Sequence, residues 1–370
     1  MIKKAIGISI FALSLAGISP LSSYAAGWSQ TSSGWVYLDD NQNRITNAWR
    51  RGADNRWRYL DSQGNMAMNA WVDDNQYYVD GQGLIVTGWK QFTTGRTTYW
   101  AYFQDNGKIV QSDWKKVGDK SYYFNDEGHM LTGWVLDNGY YLNSDGSMAV
   151  GWKKLTPPSE DADGGGGPES SSGDGQRWYY FLSNGKKYVP EGGAEFGERK
   201  IGNSRFAFND KGEMVTGWVR ITGGANGGSI KNYKYYNSDG TIRTGWYSID
   251  PPEALADRYD NTVEWFYFSS SGEPYASASS KLLAGDLVRI KGNQYLFNEN
   301  GVPVYGLVKV YTDNDRYTAF YFGTKRQCYA LKGRQTVTEE DGTSYPYYFL
   351  ESGKGLTGVR DSKLYYMGKE

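Results

Sequence analysis

Trp49 and Trp57 stand eight residues apart across a stretch that reads as a tight hairpin, so both indoles can converge on one edge of a strand pair. A third aromatic from the next hairpin, Tyr77 or Tyr78, and the thioether of Met66 or Met68 can close a box. A box with no charged residue in its walls suits a quaternary ammonium group, held by attraction to the ring faces and by fit to its methyls. The same planes can stack on sugar rings, and either reading competes with plain core packing. The chain holds 14 Trp, 32 Tyr and 14 Phe, more indoles than one hydrophobic seam requires.

Other chemistry lacks its partners. The single histidine, His129, sits in a turn beside Gly128 and reads as a solvated turn residue, so no Ser/His/Asp or Cys/His set can form. Acid pairs such as Asp73-Asp74 and Glu339-Glu340 read as solvated loop charges, and no phosphate loop or zinc spacing occurs. The expectation is a non-enzyme with no catalytic residue, no cofactor and no metal. Cys328 is the one cysteine, which excludes an intramolecular disulfide and reads as a semi-buried small side chain.

The elements that must position these aromatics repeat along the chain. Trp28, Trp49, Trp71, Trp89, Trp114, Trp134 and Trp152 follow one another at spacings of 21, 22, 18, 25, 20 and 18 residues. Each opens a unit of a tryptophan, preceded by Gly at Trp28, Trp89, Trp134 and Trp152, then a short aromatic run and an Asp/Asn-rich turn closed by Gly. The runs at 57–60, 122–124, 178–181, 206–208 and 265–268 are rich in β-formers and too short for helices. Turns such as Asp61-Ser-Gln-Gly64 and Asn125-Asp-Glu-Gly128 pair a side chain that bonds its own backbone with a residue tolerant of positive φ. Their carboxylates are too few, and the loops too short, for a calcium loop. A fixed-period array buries the face of each unit against its neighbours. The predicted fold is all-β, a β-hairpin solenoid of about 20-residue aromatic/Gly repeats, irregular in its C-terminal half.

Residues 1–25 read as a signal peptide: Lys3 and Lys4, an apolar run over 5–17, then Ser23-Tyr24-Ala25. Regular repeats follow over 26–152. The Gly/Ser/Pro/Asp-rich stretch 153–177 reads as an insertion in a hairpin turn, because Trp152 meets its aromatic run only at Trp178. Residues 178–370 continue the repeats in divergent form, with Gly-Trp decaying to Gly306-Leu307 and Gly358-Val359. Net charge is −1, or −3 without the two leader lysines, and no basic block occurs, which argues against nucleic acid. With neither a membrane span nor a sorting motif expected, the chain reads as secreted and held non-covalently.

The pattern resembles the cell-wall-binding repeat of Gram-positive choline-binding surface proteins, related to glucan-binding and clostridial toxin repeats. Gly133-Trp134, Gly151-Trp152, Gly217-Trp218 and Gly245-Trp246 match its dipeptide, and Gly128-His-Met130-Leu-Thr-Gly-Trp134 and Gly212-Glu-Met214-Val-Thr-Gly-Trp218 match its ending. The match runs from Gly27 to Trp246 and continues in degenerate form. The resemblance implies ligands bound between consecutive hairpins by the Gly-Trp tryptophan, an aromatic of the following strand, an aromatic of the next hairpin and often a Met. Carried over, the leading sets are Trp49, Trp57, Met66 and Tyr78, then Trp114, Tyr122, Met130 and Tyr140. Lesser positions are Trp28 with Trp35, Trp71, Trp89 with Trp100, Trp134, Trp152, Trp178 and Trp218, and no site is assigned after Trp246. The implied partner is a cell-wall polymer, choline-decorated teichoic acid or a glycan, at the cell wall or cell surface. A glycan-binding repeat protein and a scaffold presenting hairpin loops to a protein partner are the alternatives.

Overall fold

The computed structural model describes residues 25–158, 175–221, 228–312 and 316–370. The signal peptide expected at 1–25 and most of the insertion expected at 153–177 lie outside the described residues. The chain divides into two compact units, 25–135 with 142–148, and 136–141 with 149–370. Both are runs of antiparallel hairpins, two-stranded except where Met214–Val215 adds a third strand beside Ser204–Asn209, the all-β hairpin architecture the spacing predicts.

The first unit holds Gly27–Thr31 with Gly34–Leu38, Ala48–Arg51 with Trp57–Leu60, Ala70–Val72 with Tyr77–Val79, Gly88–Thr94 with Thr97–Phe103, and Trp114–Val117 with Lys120–Tyr123. The second opens its run of hairpins with Gly151–Leu155 against Arg177–Phe181. It continues through Phe196–Ile201 with Ser204–Asn209, Gly217–Arg220 with Tyr233–Tyr236, and Gly245–Ile249 with Glu264–Phe268. Four more hairpins end at Lys363–Tyr365.

Local sequence explains the hairpin starts. The glycine of Gly-Trp has φ near +78° at Gly88, Gly217 and Gly245, a region that costs an L-residue strain. An added Cβ would meet no neighbour at any of the three, so conformation and not crowding selects glycine. Where Ala replaces it, at Ala48 and Ala70, the positive φ moves one residue upstream to Asn47 and Asn69, the side-chain type that tolerates it best. The turns use Asp and Asn as expected: Asp61 Oδ1 accepts from the backbone N–H of Gln63 and Asn65, both at 2.9 Å.

Register builds the core. The first strand residue faces a large apolar one, as Ala48 with Leu60, Gly88 with Phe103, Gly151 with Phe181 and Gly245 with Phe268, and these large partners are fully buried. The exit loop of each hairpin then reaches back to the hairpin before it. The N–H of Met66 donates to Trp35 O at 2.7 Å, Met130 to Trp100 O at 2.8 Å, Ile242 to Arg205 O at 2.9 Å and Ala330 to Gln294 O at 2.8 Å. No helix among the described residues is long and apolar enough to cross a membrane.

Candidate functional site

The tryptophan that opens a hairpin pairs across it with a tyrosine, Trp49 with Tyr59, Trp89 with Tyr102, Trp152 with Tyr180 and Trp246 with Tyr267. Two residues before that tyrosine, on the same face, stands a second tryptophan: Trp57, Trp100, Trp178 and Trp265 respectively. The inner indoles are half-buried. The outer ones are 43%, 39%, 39% and 54% exposed, an uncommon state for so large an apolar ring.

In three hairpins the two indoles meet edge to face: Trp89 and Trp100 at 6.2 Å and 88°, Trp152 and Trp178 at 6.3 Å and 87°, Trp246 and Trp265 at 6.5 Å and 72°. The next hairpin caps each pair with one ring. Tyr122 lies 4.8 Å from Trp89, Phe206 4.8 Å from Trp152 and Tyr295 5.2 Å from Trp246, all steeply inclined. At Trp89 the cap, Tyr122, is the residue just before Tyr123, which faces Trp114, so strand alternation turns it backwards; Phe206 and Tyr295 come from hairpins without a tryptophan, where they face Arg199 and Val288. The result is three walls from two hairpins: inner indole, outer indole and cap.

This parity corrects the two leading sets. Tyr78 faces its own Trp71, and the ring against Trp49 is Tyr77, at 5.3 Å. Tyr122 faces Lys115 and belongs to the Trp89 cage, while Trp114 pairs with Tyr123 and has Ser121 where an outer ring would stand. Tyr140 lies in the strand Tyr140–Leu142. The thioethers lie under the following turns: a Cβ on Gly83 would come within 3.1 Å of Met66 Sδ, and one on Gly146 within 2.3 Å of Met130 Sδ.

The remaining tryptophans divide by the same rule. Trp28 donates its indole N–H to Arg51 O at 2.9 Å, with Trp35 exposed at the outer position and Arg58 where an aromatic cap would be. At Trp71 the cap position is Ala101, and Phe92 stacks on the indole at 5.1 Å with Lys90 Nζ over Phe92 and Tyr78. Trp218 is closed by Tyr233, Phe266 and Phe268, and its N–H donates to Asp250 O at 2.8 Å. Trp134 lies in Gly133–Val135. His129 is less solvated than expected, because its imidazole sits 3.7 Å from the Tyr99 ring and 3.2 Å from Glu127.

Family models for the choline-binding repeat match residues 43–84 and 110–151. The chain carries choline-binding repeats. Among curated relatives, glucosyltransferase-S of Streptococcus mutans is 24% identical over 273 residues, 73% of this chain but 14% of that protein. Among solved structures, the autolysin LytC of Streptococcus pneumoniae is 20% identical with a TM-score of 0.46, the match covering 76% of this chain and 52% of LytC. CbpJ of the same organism is 19% identical with a TM-score of 0.44, the match covering 90% of this chain and 100% of CbpJ. The chain thus spans a small part of the enzyme and about half of LytC.

Within the repeat matched at 43–84, the outer indole Trp57 already carries a cation. Arg51 faces Trp57 across the hairpin, and its Cζ lies 4.7 Å from the Trp57 ring, with Nη1 donating to Asn55 Oδ1 at 2.8 Å. A guanidinium on an indole is itself a cation–π contact worth about 0.5–1 kcal/mol at an exposed site. Arg51→Gln is therefore expected to raise the number of choline molecules bound per chain by one in calorimetric titration. Unchanged stoichiometry together with unchanged affinity would show that Arg51 blocks nothing.

Proposed function

We propose that the chain is a secreted protein held non-covalently at the cell wall, and that its cages at Trp89, Trp152 and Trp246 bind choline groups of a wall polymer such as teichoic acid. The observation that carries this reading is the trio of exposed outer indoles, each set steeply against a half-buried inner indole and capped by the next hairpin. Ring faces attract a quaternary ammonium, which offers no N–H and needs no hydrogen-bond acceptor. One cage is a weak site. Several cages on one chain meeting a polymer with repeated choline gain by effective concentration.

Retention of the mature chain on immobilised choline, with release by free choline, tests the reading. Free choline at about 100 times its dissociation constant should also stabilise the fold by about 2.7 kcal/mol per site, since it binds only the folded chain. Folded protein that passes straight through the resin would end the choline reading. The likeness to glucosyltransferase-S supports a second reading, in which the exposed indoles stack on glucan. A glycan array answered by soluble glucan and indifferent to choline would favour that one.

A further inference from the structure

Two of the three caps have a cation as their partner across the hairpin. Tyr122 faces Lys115 and Phe206 faces Arg199, so cap and cation project from the same face of one strand pair. Both members reach back to the hairpin before. Tyr122 lies 4.8 Å from Trp89, while Lys115 Nζ lies 5.5 Å from the ring of Tyr102, the residue facing Trp89. Phe206 lies 4.8 Å from Trp152, while Arg199 Cζ lies 5.9 Å from Tyr180, which faces Trp152, and 4.9 Å from Tyr188. Tyr188 N–H donates to Tyr180 O at 2.8 Å, so the guanidinium rests on two rings tied to each other.

Neither cation is committed elsewhere among the described residues. Lys115 is half-buried with no hydrogen bond or ion pair, and Arg199 Nε is buried without a hydrogen-bond partner. The carboxylate next to Arg199 is engaged by other groups: Glu198 accepts from Lys234 Nζ at 2.6 Å and from Tyr236 OH at 2.7 Å. The same grip recurs at junctions without a cage. Arg50 Cζ lies 5.5 Å from the Tyr37 ring, Lys90 Nζ 5.0 Å from Tyr78 and Arg360 Cζ 4.2 Å from Tyr348. At Trp246 it is absent: the cap Tyr295 faces Val288, and Tyr267 stacks on Tyr275 at 5.7 Å and 25° instead.

A cap that touches its target at one point can pivot, whereas two contacts from one strand pair fix how the hairpin sits. We propose that Lys115 and Arg199 are positioning residues, each clasping the tyrosine that faces the inner indole and so holding the aromatic cap against Trp89 or Trp152. The proposal rests on the aromatic-cage reading and assigns these cations the geometry of the third wall. A nearby positive charge also repels an ammonium ligand, so the sign of the effect separates the two roles. Positioning makes binding weaker when the charge is removed; repulsion makes it tighter.

The test uses the full chain with Trp178→Ala and Trp265→Ala, in which choline binding lost on the further change Trp100→Ala reports the Trp89 cage in calorimetric titration. Lys115→Met keeps an apolar stem without the charge and is expected to weaken this binding about two- to fivefold, the worth of one exposed cation–π contact. Lys115→Arg should restore it to within about twofold. Lys116→Met removes a charge from the same strand at an exposed position facing Ser121, and should leave the binding unchanged. Arg199→Met should likewise weaken Trp178-dependent binding in the chain with Trp100→Ala and Trp265→Ala. Circular dichroism checks folding, and Lys115→Gln serves as a second neutral variant. Unchanged or tighter binding in a folded neutral variant, failure of Lys115→Arg to restore it, or equal weakening by Lys116→Met overturns the clasp and leaves the cages standing. Absence of any Trp100-dependent binding with Lys115 intact overturns the cage reading and the clasp with it.

Discussion

Replacing Trp100, Trp178 and Trp265 together by Ala is expected to cut retention on immobilised choline by at least about a hundredfold, with the unfolding midpoint nearly unchanged. The three are 39–54% exposed, and each meets one inner indole edge to face. Removing one ring face costs a cage about 1–2 kcal/mol of cation–π attraction. On a polymeric support those losses multiply, because engagement at one cage raises the effective concentration at the others. Single substitutions should therefore weaken retention by about the cube root of the triple effect. Circular dichroism and calorimetry guard against misfolding. A triple variant that stays folded and binds the resin like the parent would remove the outer tryptophans from the mechanism.

The second large effect is on stability. Trp152→Ala is expected to destabilise the second unit by about 3–5 kcal/mol. The indole touches Trp178 and Tyr180 in its own hairpin and Phe206 and Phe208 in the next, at 4.8 to 6.3 Å, so its loss opens a junction between two hairpins. In an array stabilised by nearest-neighbour contacts, weakening one junction also lowers cooperativity, and denaturant unfolding should show a shallower or split transition. Reductant should leave it alone, since Cys328 is a free thiol. A single transition shifted by less than about 1 kcal/mol would mean that the backbone bonds of the exit loops, not the rings, hold the stack.

The hairpin period, the Asx turns and the aromatic character of the sites were all legible in the spacing of tryptophans and glycines. Cage membership was not, because it depends on which face a residue takes. Tyr77 and Tyr78 are indistinguishable by type, and only pairing of Tyr78 with Trp71 turns Tyr77 back toward Trp49. The same one-residue phase moves Tyr122 from the Trp114 set to Trp89. Counting back two residues from the tyrosine facing each tryptophan would have found all three outer indoles. The Trp246 cage is not legible in the dipeptide pattern, because Trp265 and Tyr295 supply its walls without a tryptophan in the next hairpin.

Because the third wall comes from the following hairpin, a cage is not inherited with any single repeat. Tandem duplication of one hairpin copies the inner and outer tryptophans of one site and the cap of another, and a new site arises only if phase and residue type agree at the fresh seam. The Trp71 seam, with Ala101 at the cap position and Phe92 stacked on the indole, does not meet this condition and is closed by packing. Lineages of such arrays can then gain length faster than they gain binding, and the number of working sites is a record of seams rather than of copies.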